Sequence, residues 1–153
     1  MYAEGHAGLT LAISSLLMIP FGDRYETTIF IVVATLLATL PDIDLSWQRK
    51  GYPIHHRGPT HSILAAIICG IMSATVLYYL YKTWVYVLIG FGAGFTGIVT
   101  HMIGDMLTHM KFKPLWPFRD YEVARGLVGS ANQQANNLMV ILGILCFAFY
   151  AMQ

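Results

Sequence analysis

The chain has 153 residues, 56% of them hydrophobic and 11% charged, whereas a soluble domain carries roughly 25% charged residues, so an ordinary soluble globule is excluded. A formal net charge of +1 supplies no basic field to attract nucleic acid, and DNA or RNA binding is set aside. The length suits one domain over residues 1–153, and Cys69 and Cys146 lie in apolar runs without CxxC or Cys/His spacing, as buried thiols rather than zinc ligands.

In chain order, the first apolar stretches are Ala7 to Phe21 and Thr27 to Leu40, 15 and 14 residues long. Both are short for a bilayer core of ~30 Å at a helical rise of ~1.5 Å per residue. Each reaches spanning length only by running into its polar flank, through His6 in one case and Asp42 in the other. Ionisable groups then sit at membrane depth, where they need partners. His6, Thr10 and Ser14 recur at a helical period, as do Thr35, Thr39 and Asp42. Glu4 is the only charge before the first stretch, so a cleavable signal peptide is not expected.

The next segment carries PDID at residues 41–44 and HHRGPTHS at residues 55–62. Gly58 and Pro59 force a turn there that can deliver His56 and His61 toward one point. Asp44 could instead cap a helix, and Thr60 could cap the following span. Ser62 to Tyr81 and Trp84 to Ile103 are 20-residue spans joined at Lys82, and the aromatic residues Tyr78, Tyr79, Tyr81, Trp84 and Tyr86 mark a membrane surface around it. Gly90, Gly94 and Gly97 punctuate the second of these spans for close helix packing. His101 and Asp105, four apart, project from one helix face, with Thr108 and His109 continuing the line. Leu138 to Met152, starting as early as Ala135, is the last span. The expected fold is therefore all-α: an integral membrane helical bundle of about five spans.

With five spans, one face receives Arg49, Lys50, Arg57, Lys111, Lys113, Arg119 and Arg125, and the other only Arg24 and Lys82. The positive-inside rule puts the first face and the N-terminus in the cytoplasm and the C-terminus outside. All six histidines (His6, His55, His56, His61, His101 and His109) fall on or beside that first face, together with Asp42, Asp44 and Asp105. Imidazoles and carboxylates are the ligand set of zinc and related divalent ions, and such a pair of ions serves phosphoester hydrolysis. His55 and His109 are better read as interfacial residues.

PDID, HRGPTHS at residues 56–62, HxxxDxxT at residues 101–108 and PLWPF at residues 114–118, behind an N-terminal His, resemble the YdjM-like inner-membrane proteins. That family is described as candidate membrane-bound metal-dependent hydrolases, and the resemblance runs from His6 to about Arg125. The order His, Asp, His, HxxxD is also similar to the zinc-dependent phospholipase C enzymes. By that resemblance His6, Asp42, His56 or His61, His101 and Asp105 are metal ligands, although no later His-xxx-Glu pair follows, which points to one or two ions rather than three.

The function expected is hydrolysis of a phosphoester, such as a phospholipid headgroup reached from the bilayer, by metal-activated water. Asp44 is the expected base or orienting residue and Asp42 a bridging ligand, while Arg57 and Arg119 hold phosphate oxygens. A non-enzymatic membrane protein that transports, senses or is built around a divalent ion would use the same ligands.

Overall fold

The computed structural model describes residues 1–52 and 57–153. It contains helices α1 (Ala3–Met18), α2 (Arg24–Leu37), α3 (Ile43–Arg49), α4 (Ile63–Tyr81), α5 (Val85–Met106) and α6 (Gln133–Ala151), with short 3-10 turns at Leu40–Asp42 and Pro59–His61. The described residues form no β-strand, only two isolated bridges, Thr108 with Val128 and Phe112 with Val123. The expected all-helical bundle is what the chain forms, with four candidate spans among the described residues where about five were expected.

Side-chain caps set several helix starts. Asp23 accepts from the amides of Tyr25 and Glu26 at 3.0 and 3.1 Å to open α2, Ser62 accepts from Ala65 at 3.2 Å to open α4, and Asn132 accepts from Ala135 at 3.1 Å to open α6. The cap of α4 is thus Ser62, and Thr60 is left for other work. Lys82, in the left-handed region at φ 56°, ends α4 and turns the chain into α5.

Among the described residues, four segments are long and apolar enough to cross a membrane: Arg24–Arg49, Ile63–Tyr81, Val85–Met106 and Gln133–Ala151. The second apolar stretch gains its length by continuing through Pro41, at the head of the 3-10 turn, into α3. Helix α1 has 16 residues, about 24 Å of rise, and falls short of the bilayer core. It begins at Ala3, upstream of its apolar stretch, so His6 is one turn inside the helix.

Helix α5 is the hub: α4 and α2 pack on it, α1 touches it, and α6 packs on α1. A Cβ on Gly94 would come within 2.7 Å of the Cys69 carbonyl oxygen on α4, and one on Gly97 within 2.6 Å of the Ala34 carbonyl oxygen on α2. Bare backbone at these positions lets two helices approach α5 on different sides, as expected of small residues in a membrane bundle. The loop after α5 folds back over the same end, where the amides of Arg125, Gly126 and Leu127 bond the carbonyls of Met106, Thr108 and Leu107 at 2.7, 3.0 and 2.9 Å. Phe112 of that loop is buried against Ile98 and Met102 of α5.

Candidate metal centre

The close approach at Gly97 also builds the site. One turn further along each helix, His101 of α5 meets the end of α2, and its Nδ1 lies 2.7 Å from the Ala38 carbonyl oxygen. A carbonyl can only accept, so Nδ1 carries a proton, and Nε2 is the nitrogen turned into the bundle. The last carbonyls of a helix lack intrahelical donors, and this one is satisfied by the histidine.

His61 arrives from the opposite side on the 3-10 turn headed by Pro59. Its Nδ1 is 2.9 Å from Thr60 Oγ1 and 3.5 Å from Asp44 Oδ2. Thr60 Oγ1 donates its proton to Asp44 Oδ2 at 2.6 Å, so it accepts from His61 Nδ1. The Nε2 of His61 is then the nitrogen turned toward the same point, and it stands 3.0 Å from Nε2 of His101. Two ring nitrogens that close are satisfied by a proton shared between them or by a metal ion beside them. Burial acts to lower the His61 pKa, but the carboxylates of Asp105 and Asp44 outweigh it and raise the pKa above the ordinary value. A proton is thus the first cation available to the pair.

Asp105, one turn beyond His101, places Oδ2 at 3.3 Å from His61 Nε2 and 3.6 Å from His101 Nε2. Its other oxygen is fixed by Arg57, whose Nη2 donates at 2.6 Å, and by the Met1 amino group at 3.2 Å. Asp42 Oδ1 is 3.8 Å from His61 Nε2 and 3.6 Å from His101 Nε2, and with 24% of its side chain exposed it is the accessible carboxylate of the group. His6 stacks on His101 with ring centroids 3.8 Å apart. Gly104 admits that ring, since a Cβ there would lie 2.9 Å from His6 Nδ1.

Two donor sets emerge, His6 with Asp42 and His101, and His61 with His101 and Asp105, each with ligand atoms within 4.8 Å of one another. Both ring nitrogens of His6 and Oδ2 of Asp105 are buried without a hydrogen bond. An orphaned buried polar atom costs about 1–3 kcal/mol, and His6 Nε2, 3.4 Å from Asp105 Oδ1, and Asp105 Oδ2, 3.3 Å from His61 Nε2, are placed where a cation would satisfy them. Imidazole nitrogens and carboxylate oxygens suit zinc and its neighbours. These buried groups could hold a metal ion.

Of the residues singled out from sequence, His6, Asp42, His61, His101 and Asp105 come together, and Asp44 lies directly behind His61. His56 and His55 lie outside the described residues. Arg57 is buried, with Nη2 on Asp105 and Nη1 donating to Thr108 Oγ1 at 3.0 Å and to the Met110 carbonyl at 2.6 Å. Arg119 is exposed in the loop. His109 leaves the helical line because α5 ends at Met106, and its Nδ1 bonds the Val128 carbonyl at 3.0 Å. Sequence reasoning missed the Ala38 carbonyl, which no residue type announces, and the bridging of Asp44 and His61 by Thr60. It also missed Asn136, buried on α6, whose Oδ1 accepts from the Tyr2 amide at 2.8 Å and anchors the segment leading to His6. An Asn in an apolar helix was the signal for it.

No curated protein and no solved structure matches the chain. The family model of the YdjM inner membrane proteins matches residues 1–153, the whole length, and with its long apolar helices in place the chain belongs to that family.

Proposed function

We propose that this chain is a multi-pass metal-dependent hydrolase of the inner membrane acting on a phosphoester, with its ion held among His6, Asp42, His61, His101 and Asp105. The observation that carries the reading is the 3.0 Å approach of two imidazole Nε2 atoms beside an orphaned carboxylate oxygen, beneath a carboxylate that is open to solvent. The two donor sets share His101, whose Nδ1 is engaged, and one remaining nitrogen serves one ion. A single ion, most simply zinc, is therefore favoured over two. Bound there, it supplies the lowered water pKa that hydrolysis near neutral pH needs.

The protein's own groups divide the remaining work. Asp44 and Thr60 orient His61 through Nδ1, and Ala38 does so for His101, as carboxylates and carbonyls commonly do behind metal-binding histidines. Asp42, the partly exposed carboxylate, is the group able both to ligate and to take a proton from an attacking water. Arg57 holds Asp105 in place, and Arg119 is left to engage phosphate. The excess of Lys and Arg beside this end supports a cytoplasmic site, with the C-terminus outside.

The test is turnover of a chromogenic phosphodiester by the zinc-loaded protein in detergent, run beside zinc uptake into sealed proteoliposomes. Turnover that is abolished by chelation and restored by zinc supports the hydrolase. Uptake without turnover overturns it in favour of a transporter.

A further inference from the structure

Helices α2 and α4 both pack on α5 but stand apart on the surface, and the gap between them is a cavity of about 540 Å³. Ile98 of α5 forms its floor, and Leu36, Trp47, Met72 and Val76 form its walls. These wall residues remain 40–68% exposed, although they belong to segments that cross the bilayer. The cavity is thus open sideways, toward hydrocarbon rather than water.

Its lining is almost wholly apolar until it reaches Pro41 and Thr60. Pro41 directly precedes Asp42, and Thr60 donates to Asp44 and accepts from His61. One end of the groove therefore abuts the residues that flank the candidate metal centre, whose donors lie just behind its lining. From Ala65 to Val76 along α4 the groove runs about 16 Å at a helical rise of ~1.5 Å per residue, matching the ~15 Å depth of one leaflet's hydrocarbon. An apolar slot one leaflet deep, open to lipid and ending at Thr60 and Pro41 next to the His/Asp cluster, fits an amphiphile whose tail lies in the slot and whose headgroup sits at its polar end.

We infer that this groove binds one acyl chain of a phosphate-bearing membrane lipid and presents its headgroup phosphoester to the His61/Asp42 end. The identity of the headgroup chemistry rests on the hydrolase reading; the seating of the chain does not. Leu36 and Val76 would flank the tail, and Trp47 would lie near the ester region, the depth at which indoles favour the interface.

The experiment reconstitutes the zinc-loaded protein into vesicles of phosphatidylethanolamine and phosphatidylglycerol containing a small fraction of the same phospholipids with a diazirine on the acyl chain. Labelled sites are mapped by peptide mass spectrometry. Label concentrated on Leu36, Met72 and Val76, at about tenfold the level on the lipid-facing Ile141 and Ile144 of α6, supports the groove. Ser73→Trp, at a lining position on α4, should lower groove labelling about tenfold with metal content unchanged, because excluding only two methylenes already has that effect on binding. Equal labelling of α2, α4 and α6 overturns it, as does cross-linking of a second copy of the chain across the groove with exclusion of lipid. Groove labelling without phosphodiester turnover leaves this inference standing and removes the hydrolase, whereas turnover without groove labelling does the reverse.

Discussion

His61 and His101 face each other through Nε2 atoms 3.0 Å apart while each Nδ1 is held by an oxygen that accepts from it. The pair is 40 residues apart in sequence, and neither histidine chooses this orientation alone. Ala38 holds one Nδ1 and Thr60, with Asp44 behind it, holds the other, so both rings turn Nε2 toward the same point. Such fixed ligands lose little freedom on binding and discriminate against ions that prefer an all-oxygen shell.

Asp44→Asn should separate holding the ion from using it. The amide oxygen can still accept from Arg57 N and Thr60, now at 3.1 and 2.6 Å from Asp44 Oδ2, but the negative charge that orients His61 and supports its imidazole is gone. Loss of such a partner lowers metal affinity about 10–100-fold. At saturating zinc the variant should carry the wild-type amount of metal with phosphodiester turnover reduced further than affinity explains. Unchanged turnover would remove Asp44 from the mechanism.

Acid should release the ion. His61 has a pKa raised above its ordinary value by Asp105 and Asp44 despite burial, so a proton competes for the nitrogen that the metal needs. For a group whose folded pKa is raised, its own stabilising contribution is complete below the unfolded value near ~6.5 and fades as pH rises through the folded pKa. The metal-free protein therefore loses stability from this group on the alkaline side, while the zinc-induced rise in Tm should grow there and shrink below that pH. Zinc titrations monitored by Tm across pH 5 to 8 would check both signs together.

Gly104→Val targets the site without touching a donor. A Cβ at this position would already lie 2.9 Å from His6 Nδ1, so the valine side chain would enter the space of the His6 ring and drive it off its stack on His101. Overpacking of this kind costs about 1–3 kcal/mol. Zinc affinity should fall while far-ultraviolet circular dichroism stays helical; unchanged affinity would take His6 out of the ligand set.

The two arginines should part company. Arg57→Ala takes the shorter of two cationic donors from Asp105 Oδ1, leaving the Met1 amino group at 3.2 Å, and strips Thr108 of its donor; breaking a buried pair from one side costs about 3–5 kcal/mol. A large drop in Tm is expected. Arg119→Ala, at an exposed position, should leave Tm within a degree or so of wild type for a surface change of about 0.5 kcal/mol or less, and should raise KM for a phosphodiester.

Much of this arrangement was written in residue types and spacing. The His101/Asp105 interval and the burial demanded of ionisable groups beside apolar runs were enough to bring His6, Asp42, His61, His101 and Asp105 to one end of a helical bundle. Helix ends were harder, because α5 stops at Met106 by backbone interaction with the returning loop, which carries His109 away from the line its spacing suggested. The 16-residue α1 likewise shows that apolar length is a poor guide where a helix is sheltered by others. The tautomer of His101 was illegible, since it rests on a main-chain carbonyl that every residue possesses.

The central claim is that the cluster around His61 and His101 exists to hold a divalent ion. Protein purified without chelators, and a parallel His101→Ala sample, should be assayed for metal per chain by inductively coupled plasma mass spectrometry. The account predicts about one zinc per wild-type chain and close to none in the variant, as removal of a ligand from a small site requires. Metal-free wild-type protein that also fails to take up zinc on reconstitution, or equal metal in both samples, would contradict it.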